Sequence, residues 1–293
     1  SRGAMRNQYE TGTIKATYSY TDINNNLRVA QDAAGLTTST YDGDNLRRKI
    51  VSGSVTTTFV WDGSDYLQIK PSTGDATLLI ALEGEVVGHV KGSEKRDYIV
   101  DPLGSVVAYL NSSQTLTDQF EYWPYGEMVA EIETEVQPFL WVGSLGYFRE
   151  NELRTYIRAR EYRQDRGSWM QLDPLWPATD AIQYGDANPC STTDPSGLFP
   201  TWYCIAACAP VCVGTGGSLC LPCLDGCQAA STLDDLRKVL EKHGIKKGNC
   251  NNPKTSLDCW ACPMTGAVFE RDCKLCCQRL YGDIGDDKDK CDC

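Results

Sequence analysis

Short stretches that alternate β-forming and polar residues dominate the first 150 positions of the chain. Segments such as TYSYTD, TSTYDG and TTTFVWDG follow this alternation and end in Asp or Gly. A period of two is typical of half-buried β-strands, and Asp and Gly favour the turns between strands. The pattern therefore predicts a succession of β-hairpins.

The predicted hairpins form a repeat. An aromatic residue precedes the turn at Tyr20, Tyr41 and Trp61, a spacing of about 20 residues. A second related pair is YIVDPLG at residues 98–104 and FEYWPYG at residues 120–126. Because a single hairpin is too small to fold alone, we expect each one to bury a face against the next.

Composition and charge restrict the class of protein. The chain has 293 residues, 41% of them apolar, which is enough for a packed core in one large domain or two ordinary ones. The net charge of −11 argues against nucleic acid as the main partner of the body. No apolar run approaches the roughly 18 residues of a membrane-spanning helix, so we expect no transmembrane segment. The opening SRGAM resembles a cloning remnant, and we interpret residues 1–9 as an irregular start of a fragment.

Cysteine is distributed unevenly. Fourteen of the fifteen cysteines follow Leu198, and the first 189 positions contain none. This contrast predicts a cysteine-free body joined to a cysteine-rich, partly helical tail at residues 199–293. The clearest helix in the tail is STLDDLRKVLEKHG at residues 231–244, which begins with a capping serine and ends with Lys-His-Gly.

The cysteines of the tail allow three interpretations. Their even number and high density favour disulfides, as in small secreted domains. A four-thiolate zinc site is the second possibility, and its two C-x2-C pairs would be Cys220, Cys223, Cys259 and Cys262. Free thiols that are oxidised later are the third. No cofactor other than this zinc ion is predicted, and His243, the only histidine of the tail, is interpreted as a cation at a helix end.

The junction between body and tail carries the candidate chemistry. Residues 153–198 contain two Asp-Pro pairs, at Asp173 and Asp194, and an arginine run at Arg154, Arg158 and Arg160. Two carboxylates that approach each other can share a proton and act as base and acid on a water molecule. A fixed guanidinium could stabilise the charge that develops during peptide hydrolysis. The alternative is structural, because Asp-Pro begins turns and an Arg near an Asp commonly forms an ion pair.

Other titratable residues are weaker candidates. Glu150 and Glu152 could serve as acid or base, but we interpret both as surface charges. His89 lies in a strand-like run and is interpreted as structural.

Several segments carry a resemblance to a known family. TYDGDNLRRK, TTTFVWDG, YIVDPLG and FEYWPYGEM resemble the YD repeats of Rhs proteins, of the C subunits of Tc toxins and of teneurins. Downstream, PFLWVGSLGYFRENELRTYIRAREYRQDRGSWMQLDPL, YGDANP and DPSGL resemble the Rhs repeat-associated core domain. The resemblance covers roughly residues 10–198. It implies a YD-repeat strip at residues 10–136 and a core domain at residues 137–198.

The resemblance also implies a fold and an activity. In that family the repeats coil as a β-sheet strip into a hollow shell, and the core domain closes one end and spirals inward. A fragment with so few repeats should form a partial wall. The polypeptide after DPxGL is a variable cargo, often a toxin, which the core domain cuts off by an aspartic-protease-like mechanism.

The family motif assigns residues to this reaction. The arginine that lies 15 positions before the first Asp-Pro falls on Arg158, and the two aspartates fall on Asp173 and Asp194. The cut would follow Leu198, so that the released product begins at Phe199.

Two hypotheses follow from the sequence. The first is an Rhs-type polymorphic toxin fragment, a secreted or cell-surface protein that cleaves itself once, with its own tail as substrate and an immunity or target protein as a further partner. The second is a non-catalytic extracellular YD-repeat scaffold, whose disulfide-rich binding domain remains covalently attached.

Overall fold

The protein is mainly β, as the sequence predicts. A computed structural model describes residues 4–21, 25–82, 84–173 and 180–198, together with the single positions 208 and 242. Within these residues there are two antiparallel sheets and three single-turn 3-10 helices. The predicted tail helix (apart from position 242) and the tail cysteines other than Cys208 lie outside the described residues.

The larger sheet, here called the repeat sheet, is a meander of thirteen strands. Each strand pairs antiparallel with the next one along the chain, so the order in space equals the order in sequence. The first strand begins at Asn7, within the segment interpreted as an irregular start. The strands are β1 (Asn7–Glu10), β2 (Thr13–Tyr20), β3 (Leu27–Asp32), β4 (Gly35–Tyr41), β5 (Arg47–Ser52), β6 (Val55–Asp62), β7 (Asp65–Pro71), β8 (Thr77–Leu82), β9 (Glu85–Lys91), β10 (Glu94–Val100), β11 (Val106–Asn111), β12 (Leu116–Tyr122) and β13 (Met128–Ile132).

One hydrogen-bond pattern recurs in the turns of the repeat sheet. The Asp42 carboxylate accepts the N–H groups two and four residues further on, at 3.0 and 2.9 Å. Asp101 does the same at 2.9 and 2.8 Å, and the Asn111 side chain does so at 3.0 and 3.0 Å. An Asp or Asn oxygen that caps its own turn in this way explains why these residues end the strands.

The aromatic residue before the turn coincides with an irregularity of pairing. The register shifts between Ser19 and Tyr20, between Thr40 and Tyr41, and between Val60 and Trp61. Such bulges bend a strand and increase its twist. The predicted repeat is therefore a structural unit in which an aromatic residue, a bulge and a capped turn occur together.

A second, four-stranded sheet follows and is here called the core sheet. Its strands are β14 (Phe148–Arg149), β15 (Arg154–Ile157), β16 (Arg160–Arg163) and β17 (Ser168–Trp169). Every residue of β15 and β16 is buried, so both faces of this hairpin are covered. Side chains alternate between the faces, as they must in any strand.

The two faces of the core sheet have different partners. One face contacts the repeat sheet through Arg154, Tyr156, Glu161 and Arg163. On the other face, Ile157 and Tyr162 join an aromatic cluster completed by Trp141, Val142, Tyr147, Trp169 and Tyr184. Arg160 shares this second face and lies over the Trp169 ring, with its guanidinium carbon 4.0 Å from the ring centroid.

A buried cluster of five charged side chains joins the two sheets. Arg47 on β5 contacts Glu150 at 2.6 Å and also contacts Glu161, while Arg154 contacts Glu150 at 2.5 Å and also contacts Asp32. The side chains of all five are at most 3% exposed. Because the cluster contains three acids and two arginines, its five side chains have no net charge only if one of the acids is protonated.

No helix among the described residues has the length and apolar character needed to cross a bilayer.

Candidate functional site

The structure brings Asp173 and Asp194 to one guanidinium, that of Arg160. The Arg160 Nη1 atom donates to Asp173 Oδ2 at 2.9 Å, and Nη2 donates to Asp194 Oδ2 at 3.0 Å. The two aspartates are 21 positions apart in the sequence, and all three side chains are at most 6% exposed. The fold therefore brings both aspartates to the same buried guanidinium.

Backbone contacts fix each of the three residues. Arg160 begins β16 and pairs in register with Ile157. The Asp173 N–H donates to the Ala181 carbonyl at 2.7 Å, and the Asp194 N–H donates to the Tyr147 hydroxyl at 2.8 Å. Tyr147 itself belongs to the buried aromatic cluster that packs on the core sheet, so this cluster anchors the site.

The segment Asp-Pro-Ser-Gly-Leu, residues 194–198, lies along the turn between β15 and β16. Three consecutive carbonyls of this segment accept from three consecutive residues, the two residues of the turn and the first residue of β16. Pro195 accepts from Arg158 Nη1 at 2.6 Å, Ser196 from the Ala159 N–H at 3.2 Å, and Gly197 from Arg160 Nε. The backbone that leads to the predicted cleavage position is therefore held residue by residue.

Gly197 is required by this close approach. Its φ of +69° lies in the left-handed region, and a Cβ atom there would clash with the Ile157 carbonyl. The next residue, Leu198, is buried, and its N–H donates to Asp194 Oδ1 at 3.1 Å. Its successor Phe199 lies outside the described residues.

Arg158, the arginine that the family motif assigns to catalysis, contacts backbone carbonyls beside the two aspartates. Its guanidinium donates to the carbonyls of Pro195, Leu145 and Ser64, the latter two at 3.0 Å, and lies 3.7 Å from the Asp65 carboxylate. The contacts found in the described part of the chain place it on backbone oxygens beside the site, whereas Arg160 joins the two carboxylates. Arg160 belongs to the same arginine run, and that run is the only signal in the sequence that pointed to it.

Burial and hydrogen bonding act in opposite directions on Asp194. Burial raises the pKa of its carboxyl group, Arg160 opposes this, and the charge of Asp173 adds to it. The Ser196 hydroxyl donates to Asp194 Oδ1 at 3.0 Å, and the Leu198 N–H donates to the same oxygen. Three donors therefore converge on this carboxylate in a site that water does not reach freely.

The three weaker candidates from the sequence, Glu150, Glu152 and His89, lie outside the group formed by Arg160 and the two aspartates. Glu150 belongs to the buried ion cluster, so its interpretation as a surface charge was wrong, whereas Glu152 is exposed. His89 is buried, and its Nδ1 lies 2.8 Å from the Tyr98 hydroxyl. Burial, followed by the positive charge of Arg96, lowers the pKa of His89 to about 4.

In the part of the chain that the structure describes, no group of three or more His, Cys, Asp or Glu side chains is arranged to hold a metal ion. The zinc alternative concerned Cys220, Cys223, Cys259 and Cys262, and these positions lie outside the described residues, as does His243.

Known proteins resemble this chain in sequence and in fold. No family model matches it. The tRNA3(Ser)-specific nuclease WapA of Bacillus spizizenii is 25% identical over 207 residues, which cover 66% of this chain and 9% of that protein. The Photorhabdus luminescens Tc holotoxin pore with a mutated TccC3 superposes with a TM-score of 0.53, at 15% identity, over 67% of this chain and 10% of that one. The complex of TcdB2 and TccC3 without its hypervariable C-terminal region gives a TM-score of 0.50, at 17% identity, over 63% and 10% of the two chains.

The chain has an Rhs-repeat fold. The resemblance to Rhs and YD-repeat proteins that the motifs indicated is thereby confirmed. This chain spans about a tenth of the length of the proteins that it matches, at 9% and 10%.

Proposed function

We propose that the Rhs core of this chain is a self-cleaving aspartic-type peptidase that hydrolyses the bond between Leu198 and Phe199. The observation that carries the proposal is the pair of buried carboxylates, Asp173 and Asp194, held by the single guanidinium of Arg160 at 2.9 and 3.0 Å. Paired carboxylates are suited to divide the roles of base and acid.

The two carboxylates divide these roles as follows. Three donors stabilise the ionised form of Asp194, which is the form that can accept a proton. Burial acts in the opposite direction and raises the pKa of Asp194, and a carboxylate with a higher pKa is a stronger base. Asp194 takes a proton from water as the water oxygen adds to the Leu198 carbonyl carbon. The pair holds one proton at the start, on Asp173, which gives it to the amide nitrogen of Phe199. The C–N bond breaks to leave a carboxyl group on Leu198 and a free amine on Phe199, and the proton taken from water remains on Asp194.

The arginines support this reaction in two ways. Arg160 offsets negative charge at the carboxylate pair and is fixed by its position over Trp169. Arg158, the arginine that the family motif assigns to catalysis, holds the Pro195 carbonyl and thereby orients the segment to be cut. Because the substrate is part of the same chain, its effective concentration is high and a slow catalyst suffices.

The comparisons support an Rhs-type setting for this activity. TccC3 has a hypervariable C-terminal region, and WapA is a tRNA-specific nuclease. By analogy, residues 199–293 are the cargo, a toxin domain stabilised by disulfides, with a target or immunity protein as its partner. The parent protein is secreted or presented at the cell surface.

In this proposal the repeat sheet has a structural role, as part of the wall that surrounds the cargo. The bulges at its turns increase its twist, and the core sheet packs on one of its faces. In the longer parent chain these strands form part of the wall of a shell, and the core domain turns inward from that wall.

Mass spectrometry under denaturing conditions tests the proposal. The chain is refolded from denaturant, and products are followed over time. We expect a fragment of residues 199–293 that begins with Phe199, and we expect its loss in Asp173→Asn and Asp194→Asn. Asp165→Asn is the matched control, because Asp165 pairs with Arg163 in the same domain without contacting the site.

Two results would contradict self-cleavage. One is a wild-type chain that remains intact after refolding, and the other is cleavage that persists unchanged in both Asn variants of the pair. The first result would favour the non-catalytic scaffold, in which the same ion pairs serve structure alone.

A further inference from the structure

The side chain of Ser196 makes an unusual pair of contacts at the candidate site. It is 1% exposed, and its hydroxyl donates to Asp194 Oδ1 at 3.0 Å. The same hydroxyl oxygen accepts the Leu198 N–H at 3.1 Å. Ser196 therefore links the N–H of the residue before the predicted cut to one of the two carboxylates.

We propose that Ser196 is a positioning residue for self-cleavage, whose hydroxyl fixes the Asp194 carboxylate relative to Leu198. This inference rests on the proposed function and adds a residue that the DPxGL motif leaves unspecified. The hydroxyl has one proton, and that proton is used on Asp194, so towards Leu198 the oxygen acts only as an acceptor. The contacts thus have a defined direction, from the Leu198 N–H to Ser196 and from Ser196 to Asp194.

The backbone around Ser196 limits other arrangements. The Ser196 carbonyl accepts the Ala159 N–H at 3.2 Å, and the neighbouring Pro195 carbonyl is held by Arg158 at 2.6 Å. Since the main chain is held on both sides, the hydroxyl stays within reach of Asp194. Leu198 and Asp194 also contact each other directly at 3.1 Å, which closes a small triangle of hydrogen bonds.

This arrangement predicts an effect on the pH dependence of cleavage. A hydroxyl that donates to a carboxylate favours its charged form. Without it, Asp194 keeps Arg160 and the Leu198 N–H and still faces Asp173, Tyr147 and Tyr184, but it binds a proton more readily. The acidic limb of the rate profile should therefore move to higher pH by roughly one unit, because the free energy of a hydrogen bond to a charged group corresponds to a pKa shift of about that size. On the acidic side of the profile, the rate should fall roughly tenfold.

The experiment measures rates of cleavage in the full chain refolded at pH values from acidic to neutral. Ser196→Ala is compared with wild type and with Ser144→Ala. Ser144 is a matched control, because it is 1% exposed and its hydroxyl has no hydrogen-bond partner among the described residues. Thermal unfolding of each variant separates an effect on the reaction from an effect on folding.

A second pair of variants guards against a folding defect in Ser196→Ala. Ser196→Thr and Ser196→Val have nearly the same shape and differ in the hydroxyl group. We expect the Thr variant to keep the wild-type position of the acidic limb and the Val variant to move it.

The outcomes are distinguishable. A displaced limb in the Ala and Val variants, with Ser144→Ala and Ser196→Thr unchanged, supports the inference. If wild type cleaves in an Asp194-dependent way but removal of the Ser196 hydroxyl leaves the profile unchanged, the inference alone is overturned. If wild type does not cleave at all, the proposed function fails and this inference fails with it.

Discussion

A single guanidinium accounts for the geometry of the candidate site. Arg160 uses Nη1 on Asp173, Nη2 on Asp194 and Nε on the Gly197 carbonyl, so its planar fork meets three acceptors at once. A lysine ammonium keeps the charge but cannot reproduce this fixed fork. The shape of the group should therefore matter as much as its charge.

Arg160→Lys tests that expectation. We expect the cleavage rate to fall at least about 100-fold, because loss of a fixed donor in a buried catalytic site has effects of this size. Time courses analysed by mass spectrometry measure the rate. Arg158→Lys is the comparison, with a smaller expected effect. The opposite ranking, with Arg160→Lys active and Arg158→Lys inactive, would restore the assignment made from the family motif.

A second residue-scale prediction concerns Glu161 in the buried ion cluster. Burial raises the pKa of Glu161 to about 8, with Arg47 opposing this and Glu150 adding to it. Its Oε2 atom has no hydrogen-bond partner among the described residues. A protonated Glu161 would balance the two arginines Arg47 and Arg154 against the two remaining acids. The native state therefore holds this proton more tightly than the unfolded chain, where the pKa is about 4.3.

The sign of the pH dependence follows. The stabilisation from this proton is complete below about pH 4.3 and is lost as the pH rises towards about 8. Glu161→Gln mimics the protonated form, so its free energy of unfolding should exceed that of wild type at pH 8 and approach it near pH 5. Denaturant titrations across this range measure the difference. Exposed Glu152→Gln should show no such trend, and a wild-type stability that rises with pH relative to Glu161→Gln would contradict the assignment.

At the scale of elements, strand register decides which arginine reaches the aspartates. Ile157 pairs with Arg160, which leaves Arg158 and Ala159 in the turn, and Arg158 takes a left-handed φ of 42° there. The two arginines are two positions apart, so simple alternation along one strand would place them on the same face. The sequence sufficed to predict the strands and their repeat, because alternation and turn residues are local signals. The two aspartates were assigned to the site from the family motif, and the structure places both on one guanidinium. The sequence could not distinguish Arg158 from Arg160, because the position of the turn depends on pairing with distant parts of the fold.

The capped turns give an element-scale prediction. Asp101 Oδ1 accepts two backbone N–H groups, from Leu103 and Ser105, and a neutral Asn could accept both as well. Asp101→Ala should lower the free energy of unfolding by about 1–3 kcal/mol, as expected for two hydrogen bonds. Asp101→Asn should remain within about 1 kcal/mol of wild type. Chemical denaturation measures both, and equal losses in the two variants would show that the charge rather than the cap is important.

At the scale of the molecule, the two sheets are joined by polar as well as apolar contacts. Arg47 is fully buried, its guanidinium carbon lies 4.0 Å from the Tyr156 ring centroid, and its backbone N–H donates to the Tyr156 hydroxyl oxygen at 2.9 Å. Residues 47 and 150 are 103 positions apart, and no local pattern indicated that they meet. The interpretation of Glu150 as a surface charge failed for this reason, since burial of an ion pair is a property of the assembled fold.

This interface yields a prediction with a neighbouring control. Arg47→Met leaves Glu150 and Glu161 without their shared cation in a buried site, and loss of one partner of a buried pair costs about 3–5 kcal/mol. Arg48→Met removes a pair with Asp42 in which the arginine side chain is 48% exposed, so its effect should stay below about 1 kcal/mol. Both variants lose one positive charge, and the two positions are adjacent. A difference between their losses in free energy of unfolding therefore reflects the burial of the ion pair rather than the change in net charge. Equilibrium unfolding, followed by tryptophan fluorescence, measures the two losses. Equal losses would mean that the cluster does not hold the sheets together, whereas a large loss confined to Arg47→Met would make the cluster a main connection between repeat sheet and core sheet.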